Sequence, residues 1–251
     1  MKISIIIPVY NEFRTLPELL NRVLSAPLPR GCTKEIIVVD DGSKDGTALV
    51  VKDYAERGIV IGQYTFRNGG KGAAIRAGLE LVSGDVVLVQ DGDLEYDPND
   101  YISLISPVVD GQADVVYGSR FRGTAIEMAL LSLIANKVLT FIANSLYAAD
   151  ISDEATAYKA FRAVVLHQLI LECNRFEFCP EVTAKLCRLG YRIHEVPISY
   201  RARKMSEGKK VRARDGFRAV WTLLKYRFVP KNTLLRSSDR DSAAILGEKH
   251  Y

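Results

Sequence analysis

Short apolar runs and amphipathic stretches alternate through the first half of the chain. The largely β-branched run at residues 3–7 has the character of a strand buried on both faces. Residues 16–24 follow with apolar positions at Leu16, Leu19, Leu20 and Val23, the spacing of a helix face. The pattern then predicts strands at 36–39, 59–64, 86–89 and 114–117, separated by helical stretches. The first of these is capped by Ser43 or Asp45, the next spans 73–82, and the last runs from about 99 to 109. This β-α-β-α order implies an α/β fold built on a doubly wound, mostly parallel sheet.

The second half changes character. Residues 125–147 read as one apolar helix crossed by a polar stripe of Ser132, Asn136, Thr140 and Asn144, with Lys137 beside it. A bilayer-spanning helix needs about 20 mostly apolar residues, and the stripe argues against spanning. The expectation is a core helix, with a helix lying on a membrane surface as the alternative. Helices are expected at 158–171 and 181–189, a strand at 191–196, and an amphipathic helix at about 214–228. Beyond Pro230 the pattern is lost, which predicts a flexible tail at 229–251. The organisation expected is one domain over 1–228, whose two halves, 1–119 and 120–228, differ in pattern.

Composition narrows the picture. The chain has 251 residues, 48% hydrophobic and 25% charged, enough for a sizeable core. Its start runs from Met1-Lys2 into a short strand ended by Pro8, so no signal peptide is expected. Cys32, Cys173, Cys179 and Cys187 form no CxxC pair, which predicts reduced thiols and a cytoplasmic protein. Net charge is +4, but from 201 to 231 eleven Lys/Arg face only Glu207 and Asp215, leaving the rest of the chain acidic. Such a basic block points to an anionic partner.

The candidate chemistry lies at the carboxyl ends of the expected strands, where ligands bind in open α/β sheets. Asp91-Gly92-Asp93 follows the strand at 86–89, with Glu95 two residues on. Alternate side chains of an extended segment share a face, so three carboxylates can converge and would repel each other without a cation. Mg²⁺ or Mn²⁺ takes oxygen ligands and commonly bridges carboxylates to phosphates. Asp40-Asp41 after the second strand suits hydrogen bonding to a ribose or base. Gly69-Gly70-Lys71-Gly72 has the look of a phosphate loop without Walker A spacing, and no GxGxxG follows a strand, so kinase-like and NAD-dependent readings lose support.

Three segments carry a resemblance: Ile5-Ile6-Ile7-Pro8-Val9-Tyr10-Asn11-Glu12, Ile36-Ile37-Val38-Val39-Asp40-Asp41-Gly42-Ser43, and Gln90-Asp91-Gly92-Asp93-Leu94-Glu95-Tyr96-Asp97-Pro98. They resemble family 2 glycosyltransferases of the GT-A (Rossmann-like) fold, within them the dolichyl-phosphate mannose synthase and polyprenyl-phosphate glycosyltransferase group. The segments at 117–123, 152–162 and 207–228 extend the likeness to about residue 228. Gly92 departs from the usual alanine, Ala157 from glycine or cysteine, and Glu95 stands where relatives often have glutamine.

The resemblance implies roles. Pro8, Tyr10, Glu12, Asp40, Asp91 and Lys71 would bind the nucleotide-sugar, GDP-mannose or UDP-glucose. Asp93 and Glu95, with Asp91, would hold Mg²⁺ or Mn²⁺. Arg120, Arg122, Arg203 and Lys209 would bind the acceptor phosphate, the three arginines alternatively the donor diphosphate, and Asp153 would be an active-site carboxylate beside Asp91, Asp93 and Arg120. Residues 1–119 would then form the nucleotide-sugar half and 120–228 the acceptor-binding, membrane-facing half. The implied reaction is inverting transfer of a hexose, mannose first and glucose second, to a polyprenyl or dolichyl phosphate. A lipid phosphate arrives largely ionised, its second pKa being about 6, so it needs no general base. The basic block would meet anionic headgroups in a peripheral contact at the cytoplasmic membrane face, with or without an anchoring partner protein. Transfer to a sugar hydroxyl is the alternative and would need a base, Asp153 or Glu181. Nucleic-acid binding is the distant one: no stacked-aromatic pattern accompanies the basic residues.

Overall fold

The run at 3–7 does form a buried strand. In the computed structural model, which describes residues 1–203 and 213–236, β1 (Lys2–Val9) sends Ile3, Ile5 and Ile7 into one core and Ile6 into another on the opposite face. Burying each such side chain is worth about 1.5–3 kcal/mol, which fixes β1 near the middle of the sheet. The chain continues through α1 (Leu16–Ser25), β2 (Thr33–Asp40), α2 (Thr47–Glu56), β3 (Ile61–Tyr64), α3 (Lys71–Leu79), β4 (Val86–Val89) and α4 (Tyr101–Val109). It goes on through β5 (Val115–Ile126), α5 (Leu130–Tyr147), β6 (Lys159–Arg162), α6 (Ala163–His167), α7 (Phe178–Arg188), β7 (His194–Arg201) and α8 (Ala213–Phe228). The strands form one seven-stranded sheet in the order β3-β2-β1-β4-β6-β5-β7. All neighbours pair in parallel except β6, which runs antiparallel to both β4 and β5. The mostly parallel α/β sheet expected from the sequence is the one observed. It is continuous across the expected 119/120 boundary, which falls inside β5.

Several elements differ from the pattern reading. The helix expected at 158–171 is instead β6 followed by the short α6. β6 pairs with β4 and β5 on its two edges, and Ala160 packs into the core on one face of the sheet while Phe161 packs into the core on the other. This segment is therefore covered on both faces and loses the alternation that marks a strand. The helix expected from 125 begins only at Leu130, because β5 runs on to Ile126 alongside β7. The last strand is shifted to His194–Arg201. Neither Ser43 nor Asp45 is the N-cap of α2; Gly46 is, while Asp45 accepts the Thr47 amide at 3.1 Å. The tail does not loosen at 229, since Leu234 and Leu235 are buried and Leu235 bridges to Leu169. Residues 237–251 lie outside the described part.

α5 reverses its expected orientation. Thr140 and Asn144 of the polar stripe turn inward: Thr140 Oγ1 accepts the Glu154 amide at 3.0 Å, and Asn144 holds both the amide and the carbonyl of Ile151. Leu139 and Ala143 pack with Ala219, Leu223 and Tyr226 of α8. Leu130, Leu131, Ile134, Val138 and Phe141 face outward, Phe141 being 72% exposed. Polar groups won the inner face because the 150–154 loop offers backbone groups that must be satisfied once buried.

At the amino end of the sheet, Glu35 ties β2 to β1 and to the turn before β4. It takes hydrogen bonds from Ser4 and from Ser83 Oγ (2.7 Å) and N (2.8 Å), with Lys2 as its ion partner. Burial pushes its carboxyl up, but the bonds from Lys2, Ser4 and Ser83 outweigh this and bring it down to about 2. A carboxyl depressed in the folded state stabilises above its unfolded value, 4.5, and loses that contribution as pH falls towards 2. Glu35→Gln is expected to lower unfolding free energy by about 1–3 kcal/mol at pH 7. In urea titrations this gap should close between pH 4.5 and 2.

Candidate functional site

The loops after β1 and β2 meet at the carboxyl edge of the sheet and lock together. Asn11, in a left-handed conformation (φ 51°), donates its amide to Ser43 Oγ at 2.9 Å and accepts the Lys44 amide at 2.8 Å. The Glu12 amide donates to Thr47 Oγ1 at 2.9 Å. The two aspartates divide their work. Asp41 is engaged by the amides of Gly69 (2.8 Å) and Gly70 (2.7 Å) and by the side chains of Asn68 and Thr65, so it is a loop clamp. Asp40 uses only Oδ1, towards Ser43. Pro8, Tyr10, Glu12 and Asp40 thus come together at one edge, as the sequence places them.

The acidic loop after β4 lies against this edge. A Cβ at Gly92 would fall 2.7 Å from Val9 Cγ1 and 2.8 Å from the Pro8 carbonyl, so the departure from alanine lets the two loops close on each other. Below the loop, buried Gln90 accepts the hydroxyls of Tyr101 (2.7 Å) and Tyr158 (2.6 Å) and donates to the Asp91 carbonyl at 3.0 Å. Tyr96 stacks between Tyr158 and Tyr200, and Tyr200 donates to Glu95 at 3.1 Å. This aromatic floor, which sequence reasoning missed, is scattered over 110 residues; only Gln90, beside Asp91, had a signal of its own.

Each carboxylate of the loop has a cationic partner. Asp91 pairs with Lys71. Asp93 takes Arg203 Nη2 at 2.6 Å, Glu12 takes Nη1 at 3.2 Å, and Glu95 accepts the Arg203 amide at 2.7 Å. Of the two places left open for Arg203, acceptor phosphate or donor diphosphate, its contacts put it beside the acidic loop, and Lys209 lies outside the described residues. Even so, burial and then the charges of Asp91 and Glu95 push the Asp93 carboxyl up to about 7 against the pull of Arg203. The loop is therefore under-neutralised. Among the described residues no three acidic, His or Cys side chains stand at metal-ligand spacing. The donor set fits Mg²⁺ or Mn²⁺ sharing its coordination with a diphosphate, the usual manner of Mg²⁺, rather than a protein-only cage.

The glycine segment before α3 is not a phosphate loop. The amides of Gly72 and Ala73, which open the helix, donate to the carbonyls of Arg175 (3.2 Å) and Asn174 (2.9 Å). A Cβ at Gly72 would strike the Cys173 carbonyl at 2.4 Å. The glycines serve close packing, and Lys71 alone reaches the site.

Beyond the acidic loop, Arg120 and Asp153 form a buried bidentate pair. Asp153 accepts Arg120 Nε and Nη2 at 2.7 Å each and its amide at 3.0 Å, and is fully buried. The Arg120 guanidinium lies over the Tyr200 ring. Both Asp153 oxygens are thus held by one guanidinium. Glu181 is also locked, by the amides of Glu172 and Cys173, by Lys185 at 2.6 Å and by Tyr226, in the α7–α8 core. Arg122, half exposed, pairs with buried Glu195 at 3.2 Å. On α8, which packs against α5 through Ala219, Leu223 and Tyr226, the Phe217, Trp221 and Phe228 side chains stand exposed on a helix that also carries Arg214, Arg218, Lys225 and Arg227. α5 is long and apolar enough to cross a membrane by length and composition.

The sequence model described as Glycosyl transferase family 2 matches residues 4–170. Similar proteins include the undecaprenyl-phosphate 4-deoxy-4-formamido-L-arabinose transferases of Shewanella sediminis and Salmonella paratyphi B. The first is 30% identical over 82% of this chain and 60% of its own length, the second 32% over 83% and 62%. The chain thus spans about three fifths of these relatives. Among solved structures, Mycobacterium tuberculosis glucosyl-3-phosphoglycerate synthase with Mn²⁺, uridine diphosphate and phosphoglyceric acid superposes with a TM-score of 0.67. It is 22% identical, with 91% of this chain and 79% of that one covered, a likeness of fold. With the family's match covering the whole acidic edge from β1 to α6, the chain belongs to glycosyl transferase family 2.

Proposed function

We propose that the protein transfers a sugar from a nucleotide diphosphate donor to a polyprenyl phosphate at a membrane surface. The observation that carries this reading is the state of Asp153. A sugar-hydroxyl acceptor needs a base, and both bases named for it, Asp153 and Glu181, are locked in buried ion pairs. A phosphate acceptor is already ionised and needs only positioning and charge.

In this reading Pro8, Tyr10, Glu12 and Asp40 line the nucleotide pocket, and Lys71 and Asp91 face the diphosphate and sugar. Among the described residues the three-carboxylate set read from the sequence is not assembled, so Asp93 and Glu95 would hold Mg²⁺ or Mn²⁺, which would supply positive charge for the departing diphosphate. Arg120, steadied by Asp153, and Arg122 orient the acceptor phosphate in line with the donor sugar. The relatives' names favour a polyprenyl phosphate acceptor, and the uridine diphosphate in the similar structure favours a UDP-sugar. The GDP-mannose put first on sequence grounds gives way to it here, with the hexose identity to be read from donor screening. The outward face of α5 and the aromatic, basic face of α8 lie on the lipid surface, apolar side chains entering the boundary and arginines meeting headgroups.

Radiolabelled sugar from a UDP-sugar should appear on short-chain polyprenyl phosphate and not on free sugar acceptors; the reverse partition overturns the reading. Asp93→Asn is expected to abolish Mn²⁺-dependent transfer while circular dichroism stays native, and full activity in that variant or in excess chelator contradicts the assignment. Because burial and the neighbouring carboxylates raise the metal-free Asp93 carboxyl to about 7 and its charged form is the one that binds a cation, Mn²⁺ affinity measured by calorimetry should fall as pH drops below about 7 and level off above it. Trp221 is the only tryptophan in the chain, so anionic vesicles should blue-shift its emission. Phe217→Glu should weaken vesicle co-sedimentation without lowering transfer to a detergent-soluble acceptor; no shift and no co-sedimentation would remove the membrane surface from the proposal.

A further inference from the structure

Arg120 and Arg122 leave β5 where its pairing with β7 breaks between Ser119 and Thr124. An irregular strand does not fix side-chain directions by itself, so something else must set the spacing of the two guanidinium groups. The side chain of Glu195 on β7 is 1% exposed and lies behind both. Its carboxylate accepts the Ser152 amide at 2.8 and 2.9 Å and the Asp153 amide at 3.0 Å, and its Oε2 is 3.2 Å from Arg122 Nε. Asp153 in turn grips Arg120. The link is closed by Ser119 Oγ, 2.6 Å from Ser152 Oγ and accepting the Arg122 amide at 3.2 Å.

We propose that Glu195 is a positioning residue for the transfer reaction: by holding the 152–153 backbone and Arg122 on one carboxylate, it sets the distance between the two guanidinium groups that receive the acceptor phosphate. The role rests on the polyprenyl-phosphate reading above. Chemistry makes the residue type specific. Every group facing the carboxylate is an N–H donor, and an ionised carboxylate is acceptor-only on both oxygens. A glutamine would place its amide N–H₂ against one of those donors, so either Arg122 or the 152–153 turn would be released. A loss of registry of about 1 Å can cost on the order of 100-fold in rate. Here it falls first on the acceptor side, because among the described residues Glu195 contacts Arg122 and the 152–153 backbone and none of Asp40, Asp91, Asp93 or Glu95.

The test is a comparison of Glu195→Gln with the native enzyme, using short-chain polyprenyl phosphate as acceptor and UDP with Mn²⁺ as calorimetric probe of the donor site. The expected result is an acceptor KM raised about 10- to 100-fold with UDP affinity unchanged. Arg122→Met, at a half-exposed side chain, should raise the acceptor KM too, and combining it with Glu195→Gln should add little. Glu181→Gln, which disturbs an equally buried carboxylate in the α7–α8 core, should lower the thermal midpoint without moving the acceptor KM. An unchanged acceptor KM in Glu195→Gln, a parallel fall in UDP affinity, or independent effects of the Glu195 and Arg122 substitutions would overturn the proposal. If Glu195→Gln does not fold, Glu195→Asp, which keeps the charge and shortens the reach, is read by the same criteria. Failure of the native enzyme to saturate with polyprenyl phosphate would show first, and would sink the functional reading and the role of Glu195 together.

Discussion

Charge compensation at one edge of the sheet governs this structure. Glu12, Asp91, Asp93 and Glu95 follow the carboxyl ends of β1 and β4, Asp153 lies in the loop before β6 and Glu195 near the start of β7, most of them poorly exposed. Removing one partner from a buried ion pair costs about 3–5 kcal/mol, so the cations had to be built into the fold. Lys71 comes from the start of α3, Arg120 and Arg122 from β5, and Arg203 from the segment after β7. The four cations come from three different segments of the chain. The pairs therefore hold the loops in place as well as neutralising them.

Compensation is complete on one side and incomplete on the other. Around Asp153 and Glu195 every carboxylate oxygen has a donor, and the result is a rigid mount for two arginines. Around Asp93 it falls short: one guanidinium serves Glu12, Asp93 and Glu95, and the Asp93 carboxyl stays high. A rigid arginine mount with its charge compensated, together with an under-neutralised acidic loop, suits a reaction that joins a phosphate to a sugar whose leaving group is a diphosphate. The aromatic floor of Tyr96, Tyr101, Tyr158 and Tyr200 supports both sides, since Tyr200 touches Glu95 through its hydroxyl and Arg120 through its ring.

The outward faces of α5 and α8 follow from the same economy of buried polar groups. The loop that presents Asp153 needs partners for its backbone, and α5 provides them with Thr140 and Asn144. Turning those residues inward leaves the apolar side of the helix outside, and α8, packed against α5, carries exposed aromatics of its own. Fixing the active-site loop and exposing an apolar surface are thus two consequences of one helix rotation.

The sequence by itself determined the parallel half of the sheet, because strands buried on both faces write themselves as apolar runs, as at 3–7, 36–39 and 86–89. It also located Pro8, Tyr10, Glu12, Asp40 and the Asp91–Glu95 loop, since polar residues at strand ends fall on one edge whatever the packing. Only the tertiary structure decided that residues 159–162 are an antiparallel strand, because covering on both faces erased the period that separates strand from helix. It alone paired Arg203 with Glu12 and Asp93, filled the opening amides of α3 with the 174–175 carbonyls, and placed Glu195 behind both arginines. Those are contacts between residues 40 to 190 positions apart, and local spacing along a chain holds no information about them. The orientation of α5 is the clearest case: its apolar and polar stripes were both legible, and which one faced inward depended on the backbone groups of a loop that the helix itself does not contain.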